Sequence, residues 1–194
     1  MDKNSRSFLM QKEHALSEYK AALHEGDVDK ALIPLLDYVN ALDDFYTTSS
    51  CAGRITLLED AGSKEKDRLL GKWHRKVKVG EVRSALKSEK GVVWFIYEPA
   101  VIHVVCRTLD GARLLLKIGK QSGFKRVGVQ SLKEGRFMVE ICSTEKIQAP
   151  VMVDGSMLAP EGYLRFLLKT ANSKFEKGNA KLKKLEKNMR ADVR

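Results

Sequence analysis

Between Val92 and Thr108 the chain holds two runs crowded with Val, Ile and aromatic residues, Val92–Glu98 and Val101–Thr108, with Pro99 between them. Branched and aromatic side chains suit a pleated surface, and proline cannot donate to a ladder. Two strands broken at Pro99 are therefore predicted. Glu98-Pro99 also interrupts the longest apolar region, which rules it out as a bilayer span. A strand-rich centre of this kind needs helices or a second sheet to cover it.

The flanking sequence supplies helices. Residues 4–24 keep Phe8, Ala15, Leu16, Tyr19 and Leu23 near one face, and Gly26-Asp27 ends that pattern. A second helix is expected from Asp29 to Leu42, with Leu32, Leu35, Leu36, Val39 and Leu42 buried and Pro34 in or before its first turn. Asp110 to Ser122 reads as a helix capped by Asp110 and closed by Gly123. A long final helix opens at Pro160 and keeps Leu164, Leu168, Ala171, Phe175, Leu182, Leu185 and Met189 at spacings of three and four, with Gly178 as its weak point.

Further strands are expected at Arg54–Glu59, Lys72–Val79 and Val151–Val153, with a short helix at Glu81–Lys87. Lys125–Ser131 and Arg136–Ser143 form a hairpin around Lys133-Glu134-Gly135. The expected fold class is α+β: a central mixed β-sheet flanked by helices, with a long C-terminal helix. The whole chain of 194 residues is expected to be a single domain, residues 160–194 being a basic helix packed on it. No G-x-G-x-x-G follows a first strand, so the pattern is not a Rossmann one.

The formal charge of +10 comes from 35 Lys and Arg against 25 Asp and Glu. The first 46 residues carry five basic and nine acidic side chains, so the rest is more basic than the total suggests. One block includes Lys64, Lys66, Arg68, Lys72, Arg75, Lys76, Lys78, Arg83 and Lys87. The tail carries Lys174, Lys177, Lys181, Lys183, Lys184, Lys187, Arg190 and Arg194. Two such blocks suit a phosphate-tracking surface, or they are solvated helix faces. Trp73-His74-Arg75-Lys76 interleaves a ring with cations and suits an RNA base, while Lys181 and Lys184 represent the tail.

Cys51, Cys106 and Cys142 are odd in number and far apart, with no metal-ligand spacing. They argue for a reducing, cytoplasmic setting and no structural metal. Asp2, Lys3 and Arg6 have no long apolar stretch behind them, so no signal peptide is expected.

The run Thr47-Thr48-Ser49-Ser50-Cys51-Ala52-Gly53-Arg54-Ile55 carries most of the chemistry. Ser hydroxyls and free N–H groups can cradle carboxylate or phosphate oxygens. Gly53 permits close backbone approach, and Arg54 offers a planar fork to an anion. The plainer alternative is a polar turn entering a strand, with Arg54 on the surface.

Four pieces in order resemble one family along nearly the whole chain. They are Phe45–Ile55, then Glu98-Pro99-Ala100-Val101-Ile102-His103-Val104, then Ser122-Gly123-Phe124, then Glu161-Gly162-Tyr163-Leu164 before Ala171-Asn172. The family is the wybutosine-synthesising N4-methyltransferases acting on phenylalanine tRNA. The resemblance implies methyl transfer from S-adenosyl-L-methionine to a ring nitrogen of the tricyclic guanosine derivative beside the anticodon, with the anticodon stem-loop as partner. It also implies a non-Rossmann fold. An aromatic residue is expected after Glu98-Pro99, where this chain has Ala100; Trp73, Trp94 and Phe124 are the rings that could replace it.

On that resemblance His103 and Glu98 are the candidates for orienting the acceptor nitrogen or taking its proton. Ser49, Ser50, Cys51, Gly53, Arg54, Ser122 and Gly123 are the candidates for holding the cofactor. Residue chemistry alone leaves a strand histidine, a strand-end carboxylate and a helix C-cap equally in place. Two further classes of function stay open: a non-catalytic RNA-binding module, and an interaction protein whose last helix seeks a partner, another copy included.

Overall fold

The computed structural model describes residues 3–63 and 65–193. Asp2, Lys64 and Arg194, counted above, lie outside the described residues. In chain order the elements are α1 (Lys3–Glu25), α2 (Ile33–Ala41), β1 (Phe45–Cys51), β2 (Arg54–Asp60), β3 (Arg68–Trp73), α3 (Val79–Ala85) and β4 (Val92–Glu98). They continue with β5 (Val101–Cys106), α4 (Leu109–Gln121), β6 (Arg126–Lys133), β7 (Arg136–Cys142), β8 (Ile147–Val153), β9 (Ser156–Met157) and α5 (Glu161–Asp192).

The α+β class and the long last helix hold. The single mixed sheet does not: the strands form two sheets, ordered β1-β5-β7-β6 and β3-β2-β4-β8-β9, and every pairing is antiparallel. Each sheet anchors one compact unit. The first contains Met1–Ala52, Ala100–Thr144 and Asn179–Arg194, and the second contains Gly53–Pro99 and Glu145–Gly178. Pro99, read as a break between two strands, is the last residue before the chain enters the first unit.

In the first unit alternation sends Ile102, Val104 and Cys106 of β5 to one face. There they meet Leu35, Leu36 and Val39 of α2, Leu115 and Ile118 of α4, and Leu182, Leu185 and Met189 of α5. Pro34 stands in the first turn of α2, where its missing N–H costs nothing. Val105 points the other way and packs with Tyr46 and with Phe8 of α1. Ala100, found where a ring was expected, is fully buried in this first core. Phe124 is buried there too and has no free face.

In the second unit Val93, Phe95 and Tyr97 of β4 and Ile55 and Leu57 of β2 share a core with α3 and the first half of α5. Lys72–Val79 is not a strand. β3 ends at Trp73, and Lys78 instead precedes α3, with Glu81 accepting from the Lys78 N–H at 2.9 Å. The N-cap of α4 is Thr108 rather than Asp110: its hydroxyl accepts from the Gly111 N–H at 3.1 Å.

Candidate functional site

The polar run from Thr47 to Cys51 is not a loop; it lies in β1. Its register against β5 slips between Thr47 and Ser50, so Thr48 and Ser49 bulge from the ladder before Ser50 and Cys51 re-enter opposite Ile102 and Val101. A bulge re-aims side chains and frees backbone groups. Here it brings the Ser49 carbonyl oxygen to 2.9 Å, and its hydroxyl to 3.4 Å, from Nδ1 of His103.

The other ring nitrogen, Nε2, lies 3.2 Å from Oε2 of Glu140, the residue directly opposite on β7. Arg126 of β6 donates to Oε1 of the same carboxylate from Nε at 3.2 Å and Nη2 at 3.0 Å. The His103 and Glu140 side chains are 21% and 14% exposed, whereas Arg126 is 67% exposed. Both nitrogens of His103 thus face oxygen acceptors. Glu140 and Arg126 were not found from sequence. The β5–β7 register reveals Glu140, 37 residues from His103, and the β6–β7 register brings Arg126 beside it.

A cavity of about 370 Å³ opens beside the bulge, lined by Thr47–Ser50 together with Tyr19, Asp27 and Val28. That volume lies in the range of small-molecule pockets. Ser50 Oγ is buried and has no hydrogen-bond partner among the described residues. Thr47 is already occupied, its N–H and hydroxyl bonding Asn40 Oδ1 at 2.8 and 3.0 Å. Cys51 is half-buried. The Ala52 N–H donates to Asp29 Oδ2 at 2.7 Å, and Gly53 follows at φ +106°, a conformation that favours glycine.

Arg54 and Glu98 belong to the second unit and face each other across β2 and β4. Arg54 Nε donates to Glu98 Oε2, and the side chains are 39% and 35% exposed. Its Nη groups have no hydrogen-bond partner among the described residues. Arg54 and Glu98 are thus paired within the second unit, while His103 is joined to Ser49 and Glu140 within the first unit.

The remaining sequence candidates have definite local roles. Ser122 and Gly123 form the C-cap of α4. The Ser122 hydroxyl donates to the Ile118 carbonyl at 2.8 Å and accepts from Asn188 Nδ2 at 2.9 Å, leaving little for a ligand. Gly123 sits at φ +91°, and the Phe124 N–H bonds back to the Gly119 carbonyl at 3.1 Å. The Trp73 ring lies over Gly71, so close that a β-carbon there would stand 2.2 Å from it. His74 is exposed. Arg75 pairs with Glu81 at 2.6 Å, and Lys76 with Glu176 at 2.5 Å. Lys181 Nζ lies 3.2 Å from Ser143 Oγ, and Lys184 is exposed. Among the described residues no helix is long and apolar enough to cross a membrane.

Two antiparallel sheets with helices, without a Rossmann crossover, define an α+β protein whose polar strand bulge flanks a ligand-sized cavity. Residues 10–191 match the family model described as Methyltransferase TYW3, and the chain belongs to that family. It is 42% identical over 177 residues to an Archaeoglobus fulgidus protein named tRNA(Phe) 7-((3-amino-3-carboxypropyl)-4-demethylwyosine(37)-N(4))-methyltransferase, covering 90% of this chain and 89% of that one. A Pyrococcus furiosus protein of the same name, numbered 1, is 38% identical over 190 residues, covering 96% and 97%. Among solved structures, the PH1069 protein of Pyrococcus horikoshii superposes with a TM-score of 0.89 at 35% identity, covering 94% of this chain and 96% of that one.

Proposed function

We propose that this protein transfers a methyl group from S-adenosyl-L-methionine to N4 of a 4-demethylwyosine-type nucleoside at position 37 of tRNA(Phe), the reaction named for its relatives. The observation that carries this reading is the 42% identity to one such relative over 90% of the chain. The family match runs through both compact units, which we take as one functional domain working in the cytoplasm.

The residues present fit such a donor. A buried hydroxyl without a partner, a bulge with freed backbone groups and a cavity of about 370 Å³ stand together at Thr48–Ser50. Ser49 and Ser50 would donate to a carboxylate or ribose oxygen, and Asp27 would accept from an ammonium or a hydroxyl. The half-buried Cys51 follows them in the strand, and Gly53 lets the chain turn there. When bound, the donor supplies an electrophilic methyl group on a sulfonium.

The protein's share of the work is alignment and the handling of one proton. His103 holds that proton at Nε2, with Glu140 as its partner and Arg126 fixing the carboxylate. Arg54 binds an anionic oxygen through its Nη groups while Glu98 holds its Nε edge. Trp73, His74, Arg75, Lys76, Lys181 and Lys184 contact the RNA.

The test is nucleoside mass spectrometry of tRNA(Phe) carrying the unmethylated precursor, incubated with protein and S-adenosyl-L-methionine. A product one methylene heavier, methylated at N4, is expected. Binding of the RNA with no methyl transfer would leave a non-catalytic RNA-binding module.

A further inference from the structure

The first half of α5 and the segment before α3 enclose a groove that shares only Lys76 with the candidate site residues above. It has a volume of about 720 Å³ and lies wholly in the second unit. Its floor is apolar, with Val77, Val79 and Leu168, and its rim is cationic, with Lys76, Lys78, Arg165 and Lys169.

The groove is a built feature. Asn172 clamps the segment to the helix, accepting from the Val77 N–H at 3.0 Å and donating from Nδ2 to the Val77 carbonyl at 2.9 Å. The rim charge is only partly matched. Lys76 pairs with Glu176, and Arg165 shares Glu161 with Arg83 at 2.8 and 2.5 Å. Lys169 makes no ion pair among the described residues.

Beside the rim, Phe166 is 63% exposed and Tyr163 is 45% exposed. They stand three residues apart on the helix, and Lys169 continues the same row. Exposed rings interleaved with cations are what single-stranded nucleic acid uses, with bases stacking on the rings and phosphates following the charge.

We propose that this groove binds the backbone of the substrate tRNA, with Lys78 and Lys169 holding phosphates and Phe166 stacking on an unpaired base. Apolar Val77 and Val79 then face sugar edges, and the cationic rim disfavours basic partners. The proposal rests on the tRNA substrate advanced above and adds a site to it.

Salt-dependent binding of tRNA(Phe) by the full chain tests it. In the double variant Lys78→Ala/Lys169→Ala, tRNA affinity should fall and the slope of log affinity against log salt should shrink by about 1 to 2, one phosphate contact per lysine. Phe166→Ala should weaken binding by about fivefold or more while leaving that slope unchanged. Calorimetric binding of S-adenosyl-L-methionine reports that each variant is folded and should not change.

Unchanged affinity and slope in variants of a protein that still methylates tRNA would overturn the groove alone. Absence of methylation and of tRNA binding in the native protein would overturn both readings. Concentration-dependent sedimentation abolished by Phe166→Ala would show that the patch joins two copies of the chain, and would also end the proposal.

Discussion

Replacing His103 by alanine separates a reacting ring from a structural one. The ring has two polar partners, the Ser49 carbonyl at 2.9 Å and the Glu140 carboxylate at 3.2 Å. Its loss strands neither. Ser49 is exposed to water, and Glu140 keeps two bonds from Arg126. The structural cost is therefore that of two modest hydrogen bonds in a site still 21% exposed, about 2 kcal/mol. For a chain of this size that lowers the melting temperature by roughly 4–8 °C. Even from a native stability of about 5 kcal/mol, the unfolded fraction at assay temperature stays near 1%. Unfolding thus accounts for almost none of any lost turnover. A group that handles the proton contributes about 10²–10⁴-fold to rate. Single-turnover methylation with saturating tRNA should fall by at least a hundredfold, while filter binding of tRNA changes little. Turnover within about fivefold of native, or tRNA affinity lost in parallel, would refute the assignment of the proton to His103.

Glu59 is 5% exposed and bonded twice by Arg68, at 2.7 and 2.9 Å, and these bonds hold its carboxyl at about 2, below the ordinary 4.5. A depressed carboxyl stabilises the fold above its unfolded value, so this contribution is complete above about 4.5 and fades as pH falls toward 2. Thermal melts of Glu59→Gln should show a flatter pH dependence across that window, and an unchanged profile would exclude the pair as a source of acid lability. Burial pushes the Cys106 thiol up to about 12 and raises Cys142 as well, so mass-mapped alkylation of the native protein should label the half-buried Cys51 first. Early labelling of Cys106 would mean that the first core opens easily. Gly71→Ala places a β-carbon 2.2 Å from the Trp73 ring and should move it into water, seen as red-shifted tryptophan emission. Unshifted emission would show that the ring accommodates the methyl group in place.

Local patterns exposed the elements whose burial follows one period. The two runs around Pro99, the final helix and the hairpin all stand where their spacing placed them, because alternation or a three-four spacing survives when one face is buried. Thr47-Thr48-Ser49-Ser50 defeated that logic. Those residues enter a strand because β5 pairs with them, although they lack the apolar alternation that announces one. The division of the strands into two sheets was invisible for a related reason. Arg54–Glu59 and Val101–Thr108 both read as strands, and nothing local states which strand each will meet. The Asp110 cap failed on a smaller scale, since Thr108 two residues earlier offers a hydroxyl at the right distance.

The same limit explains why half of the His103 cluster was legible. A histidine amid Val101, Ile102, Val104 and Val105 is conspicuous in sequence, because an imidazole on a strand needs polar partners. Its partners come from a bulge and from a strand 37 residues away, so no window of the chain contains them. The bulge then joins two functions that were read separately. By pushing Thr48 and Ser49 out of the ladder, it delivers the Ser49 carbonyl to Nδ1 of His103 and turns the adjoining hydroxyls to the cavity. A substitution that restored regular pairing at Thr48-Ser49 would therefore disturb the histidine and the cavity together. That coupling accounts for small hydroxyl residues at these positions: branched apolar side chains would favour a continuous ladder and close the bulge.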